Sequence, residues 1–362
     1  MKCKAAVVFR AGGSLEIRTV DLAEPGDGEV LVKMQAAGLC HSDLSALEGK
    51  LGAVVSFPII LGHEGAGVVI SCGPGVRSLK PGDHVVPVAI PECGVCPNCT
   101  SGKTNICEEA RRPPASPFSL DGEEVSAFCS LGTFAEYSVI TETRLAKVRP
   151  GAPDDIVCCI GCGVITGVGA ALQTAKVTPG SSVAIVGMGG IGLSVLQGAR
   201  IAGANRIIAI DRNPAREQIC REYGATDFIN AGEVENLGAA IRAIVPAGVD
   251  FAFECVGHTG LMRTMLEATN NCWGMGVSVG IPGGGAEVTF DPASFMSGRT
   301  WRGSKLGGER TRTTVPRLVD WYCDGFLKLD ELVTHRLPLE QINRGFDMMK
   351  SGEAIRSVVV HA

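Results

Sequence analysis

The sequence predicts a two-part α/β protein: a mainly-β domain and a doubly wound parallel sheet with helices on both faces. Three observations predict it. Short β-branched runs bounded by Gly, Pro or Asp fill the N-terminal part. Between residues 164 and 306, apolar strands alternate with helical patterns, as a parallel sheet requires. A glycine-rich loop, "GMGGIG", joins the first of those strands to its helix. The domains are therefore placed at 1–163 with 307–362, and at 164–306.

In the first part, "AAVVF", "LEIRTV", "EVLVKMQAAGL", "GAGVVISCG" and "HVVPVAI" read as strands. Residues 108–127, "EEARRPPASPFSLDGEEVSA", carry three prolines and no periodicity, and read as a long loop. In the second part, "SSVAIVG" is a buried strand, "GIGLSVLQGARIAGA" a helix and "RIIAID" a strand. "NPAREQICREYGA" is a helix with Asn213 as N-cap, Pro214 at its first position and Gly224 past its end. The strand "VDFAFECVG", the helix "GLMRTMLEAT" and the strand "GVSVGI" follow. The closing "SVVVHA" is strand-like and need not join the parallel sheet.

Composition narrows the function classes. With 362 residues, 45% hydrophobic and 20% charged, the chain can bury a sizeable core. A net charge of −5 argues against a nucleic-acid binder, which needs a basic face. The N-terminal "MKCKAAVVFRAGG" lacks the apolar stretch of a signal peptide. No run reaches the ~18 apolar residues of a membrane span. The expectation is a soluble, cytoplasmic protein without a membrane partner. Fifteen cysteines, an odd number, then read as metal ligands and small buried hydrophobes rather than a disulfide framework.

The glycine loop places Gly187, Gly189 and Gly192 in G-x-G-x-x-G order after a strand and at the start of a helix. Gly187 permits the tight turn, Gly189 lets backbone approach a pyrophosphate, and Gly192 lets helix pack on strand. The helix N-terminus then turns unpaired N–H groups towards the phosphates. Asp211 ends the next strand, where a carboxylate bonds a ribose 2′-hydroxyl and repels a 2′-phosphate. This Rossmann pattern favours NAD over NADP, although the adjacent Arg212 offers a guanidinium to a phosphate.

"ECGVCPNCTSGKTNIC" supplies Cys93, Cys96, Cys99 and Cys107. Four thiolates satisfy tetrahedral zinc completely and leave no position for substrate, so the cluster reads as structural zinc. An iron–sulfur cluster is the redox alternative, but this loop is an excursion from a β domain, not the centre of one. Chemistry must then come from elsewhere. Cys40, His41, Ser42 and Asp43 in "GLCHSDL", His63 and Glu64 in "LGHEGAG", and Cys162 in "IGCGVITG" are scattered candidates. Spacing alone does not join them.

These motifs in this order, with "GPGVRSLKPGDHVVP", the four-cysteine loop, "GMGGIGLSV", "FECVG", "SGRTWRGS" and "SGEAIRSVVV", resemble the zinc-dependent medium-chain alcohol dehydrogenases. The dimeric alcohol dehydrogenases and the glutathione- or mycothiol-dependent formaldehyde dehydrogenases look nearest. The resemblance runs nearly end to end and implies a GroES-like catalytic domain beside the Rossmann domain. It implies two zinc ions per chain. Cys40, His63 and Cys162 match the catalytic ligands, with Glu64 as a carboxylate able to reach the metal. Ser42 matches the hydroxyl that takes the proton, and Asp43 the acid that orients the ligating His. The implied reaction is reversible hydride transfer between NAD and an alcohol bound to zinc as its alkoxide.

Further cofactor positions follow from the match: His41 and Arg356 near the pyrophosphate, and Arg216 near the adenosine ribose. Thr166 and Ile191 fall beside the nicotinamide, and Gly190, Val256, Val279 and Ile281 complete the set. Ser45 stands where many relatives complete a proton relay with His. Ala89 stands where many ethanol-oxidising relatives carry a bulky aromatic. The expected substrate is therefore a primary or secondary alcohol larger than ethanol, or its aldehyde or ketone. Phe128, Cys129 and Lys305 are expected to line its pocket. Thiol-dependent formaldehyde oxidation and a nicotinoprotein that never releases NAD are the alternatives. A non-enzymatic zinc- and nucleotide-binding protein has no need for the open metal position. The resemblance also implies a homodimer, paired near "GVSVGI".

Overall fold

Closely spaced apolar residues let the strand "EVLVKMQAAG" bury both of its faces, and the N-terminal unit is organised around it. Val30, Val32 and Met34 enter one core, while Leu31 and Ala37 enter another. The computed structural model describes residues 1–52 and 55–361. The chain divides into two units, Met1–Cys162 with Arg310–Ala362, and Gly163–Glu309. Among the described residues, no single helix is long and apolar enough to cross a membrane.

In chain order, the strands of the first unit are β1 (Lys2–Val8), β2 (Glu16–Leu22), β3 (Glu29–Gly38), β4 (Ile59–Ile60) and β5 (Ala66–Cys72). They continue with β6 (His84–Pro87), β7 (Phe118–Leu120), β8 (Glu123–Ala127), β9 (Tyr137–Thr141) and β10 (Leu145–Val148). The second unit holds β11 (Ser182–Val186), β12 (Arg206–Asp211), β13 (Asp227–Asn230), β14 (Phe251–Glu254), β15 (Met275–Ser278) and β16 (Thr300–Gly303). The chain then returns to the first unit with β17 (Val333–Leu337) and β18 (Arg356–Val360).

Strands β1, β2, β7, β8 and β4 close a small barrel, and a sheet of order β10-β6-β5-β3-β18-β17, with β9 also on β3, completes the first unit. The closing "SVVV" thus lies antiparallel to β3 and outside the parallel sheet of the second unit. That parallel sheet has the order β13-β12-β11-β14-β15-β16, the doubly wound pattern.

One expectation is corrected. Residues 108–127 are not a structureless loop, because 118–127 form the hairpin β7–β8. Asp121 and Gly122 both take positive φ, 53° and 87°, as a two-residue hairpin turn requires. Phe118 and Val125 are buried, and burial of each such side chain contributes about 1.5–3 kcal/mol. The neighbouring prolines, Pro113, Pro114 and Pro117, stand before the hairpin rather than inside it. The helix expected at 213–224 is also split. It opens as a 3-10 turn, Pro214–Arg216, and becomes α-helical over Glu217–Tyr223. Asn213 caps it by accepting from the Ala215 N–H, and Gly224 ends it at φ 110°.

Candidate metal and dinucleotide sites

The four-cysteine loop folds on a short helix, Pro97–Thr100, with Cys96 before its first turn. The ligand sulfurs of Cys93, Cys96, Cys99 and Cys107 lie within 4.8 Å of one another. Cys93 and Cys99 sulfurs are 3.8 Å apart, and those of Cys96 and Cys107 are 3.9 Å apart. A tetrahedron with metal–sulfur bonds of ~2.3 Å has edges of about 3.8 Å, so the donor set fits zinc. The backbone N–H groups of Glu108 and Cys99 hold the Cys96 thiol down to about 6, while burial pushes Cys99 up to about 12.

The second cluster is assembled from three separate parts of the first unit. Cys40 follows β3 and starts the helix His41–Leu47. His63 and Glu64 follow Gly62, whose φ of 92° turns the chain where a side chain would strike Thr133 and Phe134. Cys162 ends a 3-10 turn, Cys158–Gly161. Ligand atoms of Cys40, His63, Glu64 and Cys162 all lie within 4.8 Å of one another. Asp43 is fully buried and ties Cys40 to His63. Its carboxylate accepts from Cys40 N at 3.1 Å, Gly62 N at 3.0 Å and His63 Nδ1 at 2.9 Å. That bond leaves Nε2 of His63 for a metal. Phe128 stands edge-on to the His63 ring, centroids 5.4 Å apart.

Carboxylates and sulfurs crowd this cluster. Burial disfavours a charged His63, yet the Asp43 carboxylate and the sulfurs of Cys162 and Cys40 outweigh it and raise its pKa well above the usual range. The hydrogen bond from Cys162 holds Cys40 well below the ordinary thiol range. Burial raises Glu64 well above the usual carboxylate range, and Arg356 opposes it. Arg356 was expected to face a pyrophosphate. In the structure it is buried, with Nη1 3.2 Å from the Glu64 carboxylate and donating to the Leu39 carbonyl at 3.1 Å. Thr133, which carried no signal in the sequence, fixes the Glu64 backbone by donating Oγ1–H to its carbonyl at 2.9 Å. Ser42 and Ser45 are half-buried on the same helix, and His41 is exposed.

In the second unit the glycine loop runs from β11 into the helix Gly190–Ile201. Gly187 has φ 93°, and a Cβ at Gly192 would run into the Gly187 carbonyl. A Cβ at Gly189 would meet nothing in the chain, so its backbone is open to an approaching ligand. The Asp211 carboxylate accepts from Met188 N at 2.7 Å and Asn213 N at 2.8 Å, tying loop to strand end. Arg212 is exposed, while Ile191 and Arg216 are half-buried. Thr166 and Val279 are buried, whereas Val256 and Ile281 are exposed apolar residues. Sequence reasoning missed Glu254. This fully buried carboxylate accepts from the N–H groups of Val256, Gly257 and His258 and shapes that loop.

The expected pocket residues are divided between the units. Ala89 and Cys129 are half-buried and Phe128 is buried in the first unit. Lys305 is exposed in the second, ahead of the 3-10 turn Leu306–Gly308.

Asp43→Asn removes the negative charge that orients His63 and keeps the side-chain shape. Metal retention at the Cys40–His63–Cys162 cluster is expected to weaken about 10–100-fold. Competition with a chromogenic chelator measures it, and the four-cysteine site is expected to be unaffected. Native retention at both sites would remove the orienting role from Asp43.

Comparison with known proteins gives the lineage. Residues 26–150 match the alcohol dehydrogenase GroES-like domain family, and residues 190–322 match the zinc-binding dehydrogenase family. The chain is 45% identical to an alcohol dehydrogenase class-3 of Cereibacter sphaeroides, covering 99% of this chain and 100% of that protein. It is also 45% identical to an S-(hydroxymethyl)glutathione dehydrogenase of Paracoccus denitrificans, covering 100% of both. Among solved structures, benzyl alcohol dehydrogenase from Acinetobacter calcoaceticus superposes with a TM-score of 0.93 at 32% identity over 100% of both chains. The GroES-like first unit, the Rossmann second unit and these end-to-end matches agree: the chain belongs to the zinc-dependent medium-chain alcohol dehydrogenase family and is an NAD-using oxidoreductase.

Proposed function

We propose that this enzyme oxidises the hydroxymethyl adduct of a low-molecular-weight thiol of the glutathione type, with NAD as hydride acceptor. The carrying observation is the end-to-end 45% identity to an S-(hydroxymethyl)glutathione dehydrogenase. Such an adduct, RS–CH2–OH, is itself a primary alcohol larger than ethanol. It therefore also suits the small side chain at Ala89. Cys40, His63 and Cys162, with Glu64 in reserve, would hold zinc, which would supply a Lewis acid to acidify the substrate hydroxyl.

The chain's own residues do the rest. Ser42 accepts the hydroxyl proton and passes it outward without a His at position 45. Asp43 fixes the tautomer and orientation of His63 through the 2.9 Å bond. Phe128, edge-on to His63, shields the ligand from water. Gly187, Gly189, Gly190 and Gly192 would hold the pyrophosphate of NAD, and Asp211 its ribose. Bound NAD would supply the hydride acceptor, so that RS–CH2–OH and NAD+ would balance against the thioester RS–CHO, NADH and one proton.

A second reading rests on a different observation. Phe128 and Cys129 are apolar, and the benzyl alcohol dehydrogenase superposes at 0.93, so a bulky aromatic alcohol is the competitor. Both readings keep a homodimer, but the strand "GVSVGI" expected to pair is β15, which lies between β14 and β16, so the free edge is the adjacent β16, whose unit exposes Trp273 and Met296.

NADH formation separates the substrates. Turnover of formaldehyde is expected only with glutathione or another low-molecular-weight thiol present. Oxidation of benzyl alcohol with no thiol-dependent formaldehyde turnover would overturn the lead reading. Ser42→Ala is expected to lower kcat about 10²–10⁴-fold with zinc content unchanged. An unchanged kcat would refute its proton role. The mass in solution is expected near twice the 37.7 kDa chain, and a monomer would refute the pairing.

A further inference from the structure

Arg144 is a charged side chain in the wrong place for an ordinary arginine. It is 3% exposed. Among the described residues its side chain makes one hydrogen bond, to a neutral group, Nη1 donating to the Ala89 carbonyl at 2.6 Å, and no carboxylate pairs with it. A buried guanidinium without a counter-anion is strongly destabilising. Burial pushes Arg144 below its usual range, and the groups acting the other way are Cys129, Cys107 and Glu109. Glu109 is exposed, so water screens it. Burial raises the Cys129 thiol and keeps it neutral. Cys107 is left. A thiol becomes a thiolate outright when it ligates a metal.

The surrounding backbone points the same way. The segment Val88–Glu92 leads directly into Cys93. It is tied to the Arg144 turn by Val88 N to Arg144 O and by Glu92 N to Thr143 O, both 2.9 Å. At its far end, Arg310 grips the Glu92 carboxylate at 2.8 Å, and that guanidinium also feels the Cys99 sulfur. Zinc with four thiolates carries a net charge of −2. From this placement we infer that Arg144 is the buried counter-ion of the zinc tetrathiolate, and that through the Ala89 carbonyl it fixes the strut between that metal and the strand β6. Arg310, paired with Glu92, closes the outer end of that strut.

The test crosses charge with metal. Arg144→Gln keeps a polar head and removes the charge, and Arg144→Lys keeps the charge. The Gln variant is expected to release zinc from the four-cysteine loop about tenfold faster to a chromogenic chelator. A Cys93→Ser chain, which lacks that site, identifies the kinetic phase. The Lys variant is expected to release zinc near the native rate. With zinc bound, the Gln variant is expected to melt below the native chain. With zinc stripped under reducing conditions it is expected to melt above it, because the native chain then keeps a buried charge and no anion. A packing role cannot reverse that sign. A native release rate in Arg144→Gln, or equal destabilisation with and without zinc, would overturn the inference. Should Arg144→Gln fail to fold, the Lys variant decides: native-like retention supports the counter-ion, and rapid loss overturns it.

Discussion

One buried carboxylate sets the geometry of the reactive cluster. Asp43 has no access to water, yet all three of its bonds go to donors that matter for the site. Cys40 N brings the end of β3 to it, Gly62 N brings the turn before His63, and the imidazole completes the set. A carboxylate in that position is stable only because each donor is present, and each donor is positioned only because the carboxylate is there. Two proposed ligands far apart in sequence are thereby locked to one point. Cys162 arrives independently, from the 3-10 turn Cys158–Gly161.

Such an arrangement explains what the sequence made legible. Local features were readable, because their chemistry is contained in short spacing. The strand–GMGGIG–helix element and the acid at the end of β12 stand where the pattern implied. The four cysteines close on one another through a loop that contains them all. The reactive cluster had no such signature. Its members meet through β3, β4 and the turns that follow, so only the family resemblance gathered them. The β7–β8 hairpin was hidden for another reason: its Asp121-Gly122 turn is a strong hairpin signal, but three nearby prolines outweighed it. Arg144 and Glu254 were invisible in principle. Nothing in "TETRLAK" or "FAFECVG" distinguishes a buried charge from a solvated one, since burial is decided by segments distant in sequence.

The two clusters also differ in the charge they leave behind, and the difference matches their tasks. Two thiolates and a neutral imidazole cancel the charge of a zinc ion. Two carboxylates also stand at the reactive cluster: Glu64, 3.2 Å from Arg356, and Asp43, bonded to His63. A zinc whose two thiolates cancel its charge keeps an open position for a group that develops charge during reaction. Four thiolates instead leave a permanent double negative charge, on a cluster whose Cys93 and Cys96 are only half-buried. A permanent, balanced charge suits a brace and is useless for turnover. The cysteine-rich loop, the most conspicuous chemistry in the sequence, is for that reason the part that holds still. It is joined to β6 by the five residues Val88–Glu92, which carry Ala89.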